Sequence, residues 1–348
     1  MPEGPPVRRE DWTTTWGRYM AALDAMDVRA GTAITVDAVD AGARVEEVVA
    51  ELLAPGQEEV GRLWYCGDWS VAQEHAATAV ADAALAAVSM RLPASEGAAA
   101  PSVVVACAPG EWHSLPARMG AAALIERGFR VLFLGAAVPS DHLQGFIELH
   151  RPLALALSCT HPLNLPGARD SVAAARGAGV PTLACGRAFG TDDLRARAIG
   201  AAGWAQDAAT AAALLDAWQS MPPDLGKERG STLPTDWQKD RQAVSLMLGR
   251  LEQEVPAVRG YDERQRARTI EDAHYILAYA RTATDIDDER IFSSFLVWLR
   301  DLLEPRGVPW AMVARSCRLL AEGLEPSEGK TANLLQAAGI SPHGLADP

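Results

Sequence analysis

Ser102-Val103-Val104-Val105-Ala106-Cys107 opens a stretch that continues Ala108-Pro109-Gly110-Glu111-Trp112-His113-Ser114-Leu115-Pro116. The β-branched run from Val103 to Cys107 reads as a buried strand and the Gly-containing segment as a loop. A helix follows from about Pro116 to Arg127, with proline tolerated in its first turn. Working outward, Arg130 to Leu134, Leu153 to Ser158 and Pro181 to Ala184 repeat the short apolar run, and another lies near Gly203. Helix-length segments ending in Gly or Pro separate them, and a last helix spans Ala208 to Gln219. Such alternation predicts a doubly wound parallel sheet whose ligand lies outside the carboxyl ends of the strands. The loops to inspect therefore begin at Cys107, Leu134, Ser158 and Ala184.

Both flanks read as helical. Asp11 to Ala30 places Trp12, Trp16, Tyr19 and Leu23 at helical spacing, and Arg44 to Leu53 does the same with Val45, Val48, Val49 and Leu52. A third helix after Pro55 carries Val60, Leu63 and Trp64 and breaks near Gly67; a fourth, capped by Ser70, runs to about Met90. Four helices in this length predict a bundle. Leu92 to Pro101 reads as a hinge and Met221 to Pro234 as a second linker. Beyond it, Thr235–Val255, Asp262–Thr284, Asp287–Leu303 and Pro309–Leu324 show helical periods, with Thr235 and Asp287 as caps and a short helix at Lys330–Ala338. The expected domains are a four-helix-bundle cap (1–98), an α/β domain (99–222) and an all-helical C-terminal domain (223–348).

The 348 residues are 49% hydrophobic with a formal net charge of −13, enough apolar material for several cores and the wrong sign for a phosphate backbone. Direct nucleic-acid binding is not expected, and there is no recognisable amino-terminal helix-turn-helix. Five irregularly spaced cysteines do not form a secreted disulfide framework, and no stretch approaches the ~20 apolar residues of a membrane span. A cytoplasmic protein is expected.

In the loop after the first strand, His113 offers a neutral imidazole, a good ligand for cobalt and related metals, and Glu111 can fix its tautomer. The alternative is a helix-capping or partly exposed loop histidine. The loop resembles the lower-ligand loop of flavodoxin-like (Rossmann-type) cobalamin-binding domains, Asp/Glu-x-His-x-x-Gly, with Pro116 in place of the glycine. The resemblance implies that His113 binds cobalt from below, beside Glu111, Trp112, Ser114, Leu115 and, on the second strand's loop, Val138. Ser158-Cys159-Thr160 stands where such domains use hydroxyls to hold the nucleotide tail, which gives Ser158 and Thr160 that role. Cys185-Gly186-Arg187 resembles their Gly-Gly turn, with Gly186 retained.

In the cap, Val60-Gly61-Arg62-Leu63-Trp64 precedes Val71-Ala72-Gln73-Glu74-His75. This Trp-x9-Glu-His pattern resembles the CarH-type cobalamin photoreceptors, in which the Trp packs over the adenosyl group and the Glu contacts it. The His ligates cobalt from above after light breaks the cobalt–carbon bond. Carried across, these are the roles of Trp64, Glu74 and His75. The alternatives are a core tryptophan and a solvated helix face.

His274, Tyr275, Tyr279 and Arg281 share one C-terminal helix, and Trp298 lies on the next with Phe292 and Phe295. A linear tetrapyrrole needs such an aromatic slot, with arginine for its propionates; an ordinary helical core is the alternative. The domain order resembles the photocobilins, a CarH-like module followed by a helical biliverdin-binding domain. It implies adenosylcobalamin and biliverdin as chromophores, a homo-oligomer with light-dependent assembly, a separate effector protein and no catalytic turnover. Cys317 is a covalent attachment candidate, although biliverdin in that family is held without a bond. One rival is a corrinoid methyl carrier of a methyltransferase system. Another is a zinc protein using Cys107, His113, Cys159, His161 and Cys185, which lack paired metal-ligand spacing.

Overall fold

The structure, a computed structural model, describes residues 11–92, 100–225 and 237–338. The cap comprises α1 (Trp12–Asp24), α2 (Val28–Asp40), α3 (Val45–Val48), α4 (Ala54–Tyr65) and α5 (Val71–Ser89). It is a bundle, but partitioned differently from the sequence expectation. The first helix stops at Asp24 because Met26 turns the chain with φ of 54°, and Asp27 then caps α2 by accepting from the N–H groups of Arg29 and Ala30. Conversely, Pro55 does not separate two helices. A π turn over Val49–Leu53 joins α3 to α4, and the proline, which cannot donate to an earlier carbonyl, follows directly in the first turn of α4. Gly31 lets α2 and α5 close, since a β-carbon there would lie 2.4 Å from Val80 Cγ1.

Strands β1 (Ser102–Cys107), β2 (Arg130–Gly135), β3 (Ala154–Ser158), β4 (Thr182–Cys185) and β5 (Gly203–Ala205) form one parallel sheet in the order β2-β1-β3-β4-β5. The order reverses between β1 and β3, so the loops after these two strands flank the crevice in which ligands of doubly wound sheets bind. One sheet face packs on α6 (Ser114–Glu126) and, near the chain's middle, α10 (Ala208–Ser220). The other packs on α7 (Ser140–His150), α8 (Leu165–Gly177) and α9 (Leu194–Ala198). Leu115 and Met119 of α6 enter the cap core, which ties cap to sheet domain.

The C-terminal domain contains α11 (Trp237–Glu254), α12 (Pro256–Arg259), α13 (Glu263–Ile286), α14 (Arg290–Leu303), α15 (Trp310–Glu322) and α16 (Gly329–Ala338). Asp262 caps α13 as a capping box with Gln265, but Asp287 does not start the next helix: at φ of 61° it closes α13, and Glu289 precedes α14. The expected cap Thr235, and parts of both expected linkers, lie outside the described residues. The apolar core of this domain is continuous with the α7/α8 face of the sheet. Ion pairs reinforce the contact: Arg169 Nη1 to Asp285 Oδ2 at 2.6 Å, Arg195 Nε to Asp288 Oδ2 at 2.7 Å and Arg290 Nη1 to Asp192 Oδ2 at 2.8 Å. Removing one partner of a buried pair leaves an uncompensated charge, a loss of about 3–5 kcal/mol, so the first two pairs fix one docking geometry. Among the described residues no helix is long and apolar enough to cross a membrane.

Candidate functional site

The loop after β1 brings Glu111 back beneath the crevice. Its side chain is fully buried, and it accepts from His113 Nδ1 at 2.6 Å and from the His113 N–H at 2.9 Å. Its second oxygen accepts from the N–H groups of Thr160 (2.7 Å) and His161 (2.8 Å) and from Asn164 Nδ2 (3.2 Å). These three residues follow β3, fifty residues away in sequence, and reach Glu111 because β1 and β3 are neighbours. Burial pushes the Glu111 carboxyl up, but the bonds from the side chain and N–H of His113 and from the two loop N–H groups prevail and bring it down to about 2. An ionised carboxylate accepts only, so it selects the Nδ1–H tautomer of His113 and leaves the Nε2 lone pair free. The same bond raises the His113 imidazole above its ordinary value; burial opposes, and the charges of Glu111 and Glu74 add. The His113 side chain is 62% exposed. A rigid, oriented imidazole thus faces outward on a buried acidic anchor.

Around this pair the expected tail-binding residues are placed unequally. Thr160 Oγ1 is buried without a hydrogen-bond partner, a hydroxyl that needs one from a ligand. Gly186, at φ of 102°, lies against the β3 loop so closely that a β-carbon would come 2.5 Å from the Cys159 carbonyl oxygen, so this turn accepts glycine alone. Ser158 is buried at the end of β3, and its carbonyl accepts from the Ala108 N–H at 3.0 Å. Val138 is half-buried, with its N–H 3.4 Å from the Cys107 carbonyl. Ser114 begins α6, and Pro116 sits in that helix's first turn, where the N–H it lacks would have no intrahelical acceptor. Trp112 is 75% exposed beside His113. Leu115 does not face the crevice; it is buried in the cap core, because α6 needs an apolar contact with the bundle there.

The cap supplies a second imidazole. Glu74 and His75 lie in the first turn of α5, after the capping box of Ser70 and Gln73. His75 Nδ1 is hydrogen-bonded to Glu74 Oε2, while the Thr78 hydroxyl lies between Glu74 Oε1 (3.2 Å) and Gln57 Oε1 (2.9 Å). Asp82 of α5 is ion-paired with Arg118 of α6, so the helix that carries Glu74 and His75 packs against the helix that follows His113; the His75 ring is 75% exposed.

Trp64 lies with Val71, the first residue of α5, on the wall of a 660 Å³ cavity between the cap and the C-terminal helices. The volume is that of a pocket for a sizeable organic ligand, about 300–1,000 Å³. Arg264, Arg268, Asp272 and Arg306 supply its charged groups, and Ile276, Leu299, Leu303 and Met312 part of its apolar lining. Burial, then the neighbouring Glu271, pushes the Asp272 carboxyl up to about 6, against the pull of Arg268. Sequence reasoning missed these charged residues; the i, i+4 spacing of Arg264, Arg268 and Asp272 on α13 was the available signal.

The residues expected to form an aromatic slot do not line this cavity. Arg281 is buried and bonded to Asp240 and Glu328, so its charge is neutralised inside the bundle and not free for a propionate. His274 Nδ1 bonds to the Ile270 carbonyl of its own helix at 2.8 Å, and Tyr275 is 45% exposed. Tyr279 and Trp298 flank Phe295 in one aromatic stack. Cys317 is buried and its thiol is pushed up to about 12 by burial, the state of an inert core cysteine. Among the described residues no group of three or more His, Cys, Asp or Glu side chains is placed to hold a metal ion, which removes the zinc-cluster alternative there.

With this geometry in hand, known proteins identify the class. Residues 17–89 and residues 101–213 each match the family model of a B12 binding domain. The chain is a cobalamin-binding protein, built as a helical cap and a Rossmann-like B12-binding domain with additional C-terminal helices. No curated protein matches it. Among solved structures it is similar to the monomethylamine corrinoid protein of Methanosarcina barkeri, with 19% identity, a TM-score of 0.52 and coverage of 60% of this chain and 99% of that one. It is also similar to a novel cobalamin-binding protein from Desulfitobacterium hafniense DCB-2 (21% identity, TM-score 0.32, 60% and 98% covered). A third is the methanol:cobalamin methyltransferase complex MtaBC from Methanosarcina barkeri (18%, 0.33, 65% and 88%). The first of these establishes the shared fold. The site fits the cofactor on its own terms: an outward Nε2 for cobalt, an unpartnered Thr160 hydroxyl and a glycine-only turn beside it.

Proposed function

We propose that the chain is a light sensor that holds adenosylcobalamin through His113 below the cobalt and presents His75 as a waiting ligand above it. When bound, that cofactor supplies a cobalt–carbon bond that light can break. His113, on a buried carboxylate, keeps the lower side in one orientation throughout. His75 stands in the cap with its Nδ1 on Glu74, so its Nε2 would be the group offered to the upper side once that side is vacant. The observation that carries this reading is that both imidazoles hold a carboxylate at Nδ1, one on the β1 loop and one on the cap helix α5, which packs against α6 through Asp82 and Arg118. Ligation by His75 would draw the start of α5 toward the sheet domain and so would give the cap two states with different contacts, as a switch requires.

The reading includes biliverdin as a second chromophore, with the Trp64 cavity as its site. Its support is the cavity's size, its arginines for propionates and Asp272 as an acceptor for pyrrole N–H groups. A homo-oligomer whose assembly changes with light, acting on a separate effector without catalytic turnover, completes the proposal.

A corrinoid methyl carrier is the second reading, favoured by the solved structures whose names include a corrinoid protein and a methyltransferase complex. A carrier must leave the upper side open to its partner, where an imidazole would compete. Anaerobic reconstitution with adenosylcobalamin, followed by green light, separates the two. The sensor converts to a bis-imidazole spectrum that His75→Ala abolishes; a product without an upper imidazole in the wild type supports the carrier. Adding biliverdin tests the second chromophore: wild type binds and colours, and Arg264→Ala combined with Arg268→Ala weakens uptake, whereas undiminished uptake moves the pocket elsewhere.

A further inference from the structure

Helix α13 does two things along its length. Its first half lines the Trp64 cavity, through Arg264, Arg268, Asp272 and Ile276. One turn further on, Tyr279 leaves that wall and reaches the sheet domain, where its hydroxyl lies 3.3 Å from His161 Nε2. His161 is no bystander, because its own N–H and that of Thr160 are two of the donors that fix Glu111. Tyr279 is held in turn by stacking on Phe295, with ring centroids 3.8 Å apart and planes 8° from parallel. The stack continues through Trp298 (5.9 Å from Phe295) to Tyr65 of the cap (6.4 Å from Trp298), the residue after Trp64. A chain of direct contacts therefore runs from the cap, through the C-terminal bundle, to the carboxylate that orients His113.

We propose that Tyr279 is a positioning residue for the lower cobalt ligand: by anchoring His161 it holds the β3 loop against Glu111, so the C-terminal domain sets how firmly His113 binds cobalt. This rests on the reading of His113 as that ligand. Pieces of the connection have different sensitivities. The hydroxyl transmits position to the loop, and the ring fixes the hydroxyl. Displacement of α13 by a molecule in the cavity would reach the cobalt by this route without touching the corrin.

The test uses the full chain reconstituted with adenosylcobalamin in darkness. Tyr279→Phe keeps the stack on Phe295 and removes only the hydroxyl. Loss of one such hydrogen bond is expected to weaken cobalamin binding about two- to tenfold, and to move the dark absorption spectrum toward the form lacking the lower imidazole. Phe295→Leu keeps the hydroxyl but frees the ring, and is expected to produce the same spectral change to a smaller extent. Wild-type affinity and spectrum in Tyr279→Phe would overturn the proposal. So would weaker binding with an unaltered spectrum, which marks a merely structural role. His113→Ala distinguishes the levels: if it leaves the dark spectrum unchanged, the lower-ligand reading itself fails, whereas if it changes the spectrum and Tyr279→Phe does not, only the coupling fails.

Discussion

His113 and His75 each present Nδ1 to a carboxylate, but the two pairs are built in opposite surroundings. Glu111 is fully buried and takes five donors from two loops of the sheet domain, whereas Glu74 is 29% exposed and shares its oxygens with His75 and Thr78 on a single helix. The first pair is anchored by the fold, since moving it would strand backbone N–H groups in the interior. The second can swing at little cost, because an exposed pair contributes only about 0–1 kcal/mol. A permanent ligand and a conditional one call for this contrast.

The largest effect that would sharpen the contrast is on stability. Glu111→Ala removes the anion while leaving its donors buried, and a loss of about 3–5 kcal/mol is expected in urea unfolding followed at the sheet domain. Glu74→Ala is expected to change stability by less than about 1 kcal/mol. Equal losses would break the comparison. Next comes affinity. Outer partners of metal ligands are typically worth about 10–100-fold, so Glu111→Gln is expected to weaken cobalamin binding by that order in equilibrium dialysis, and Glu74→Gln to leave dark binding nearly unchanged.

A smaller effect concerns acid. The Glu111 carboxyl is depressed in the fold from an ordinary 4.5 to about 2, so its contribution to stability is complete above the ordinary value and is lost as pH falls toward 2. Comparing urea midpoints of the wild type and Glu111→Gln between neutral pH and pH 3 should show a steeper decline in the wild type; parallel declines would contradict the depression. The smallest expected dark effect is that of His75→Ala, which should bind cobalamin as the wild type does and differ only after illumination.

The sheet was legible because its strands are short, mostly apolar runs bounded by turn signals, and the central strands β1 and β3, buried throughout, need nothing subtler. The cap's partition was not. A methionine at positive φ gives no glycine signal, and the π turn before Pro55 disguises a continuous helix as two. At the site, Glu111 and His113 were legible as a local pair two residues apart. Thr160 was placed by its strand end, but His161 and Asn164 as partners of Glu111 depend on β1 lying beside β3, a tertiary fact that no local pattern contains. The cavity wall was missed because Arg264, Arg268 and Asp272 read as an ordinary solvated helix face until α4 and α14 close over them. Arg281 was misread for the converse reason: its partners Asp240 and Glu328 come from distant helices.

The most direct test of the cobalt-binding role of His113 is the dark absorption spectrum of the full chain after loading with adenosylcobalamin and gel filtration, recorded for the wild type and His113→Ala. The wild type is predicted to elute coloured with the spectrum of histidine-ligated cobalamin, and the variant to elute with less cofactor and the spectrum of cobalamin lacking that ligand. Identical spectra from the two proteins would contradict the assignment.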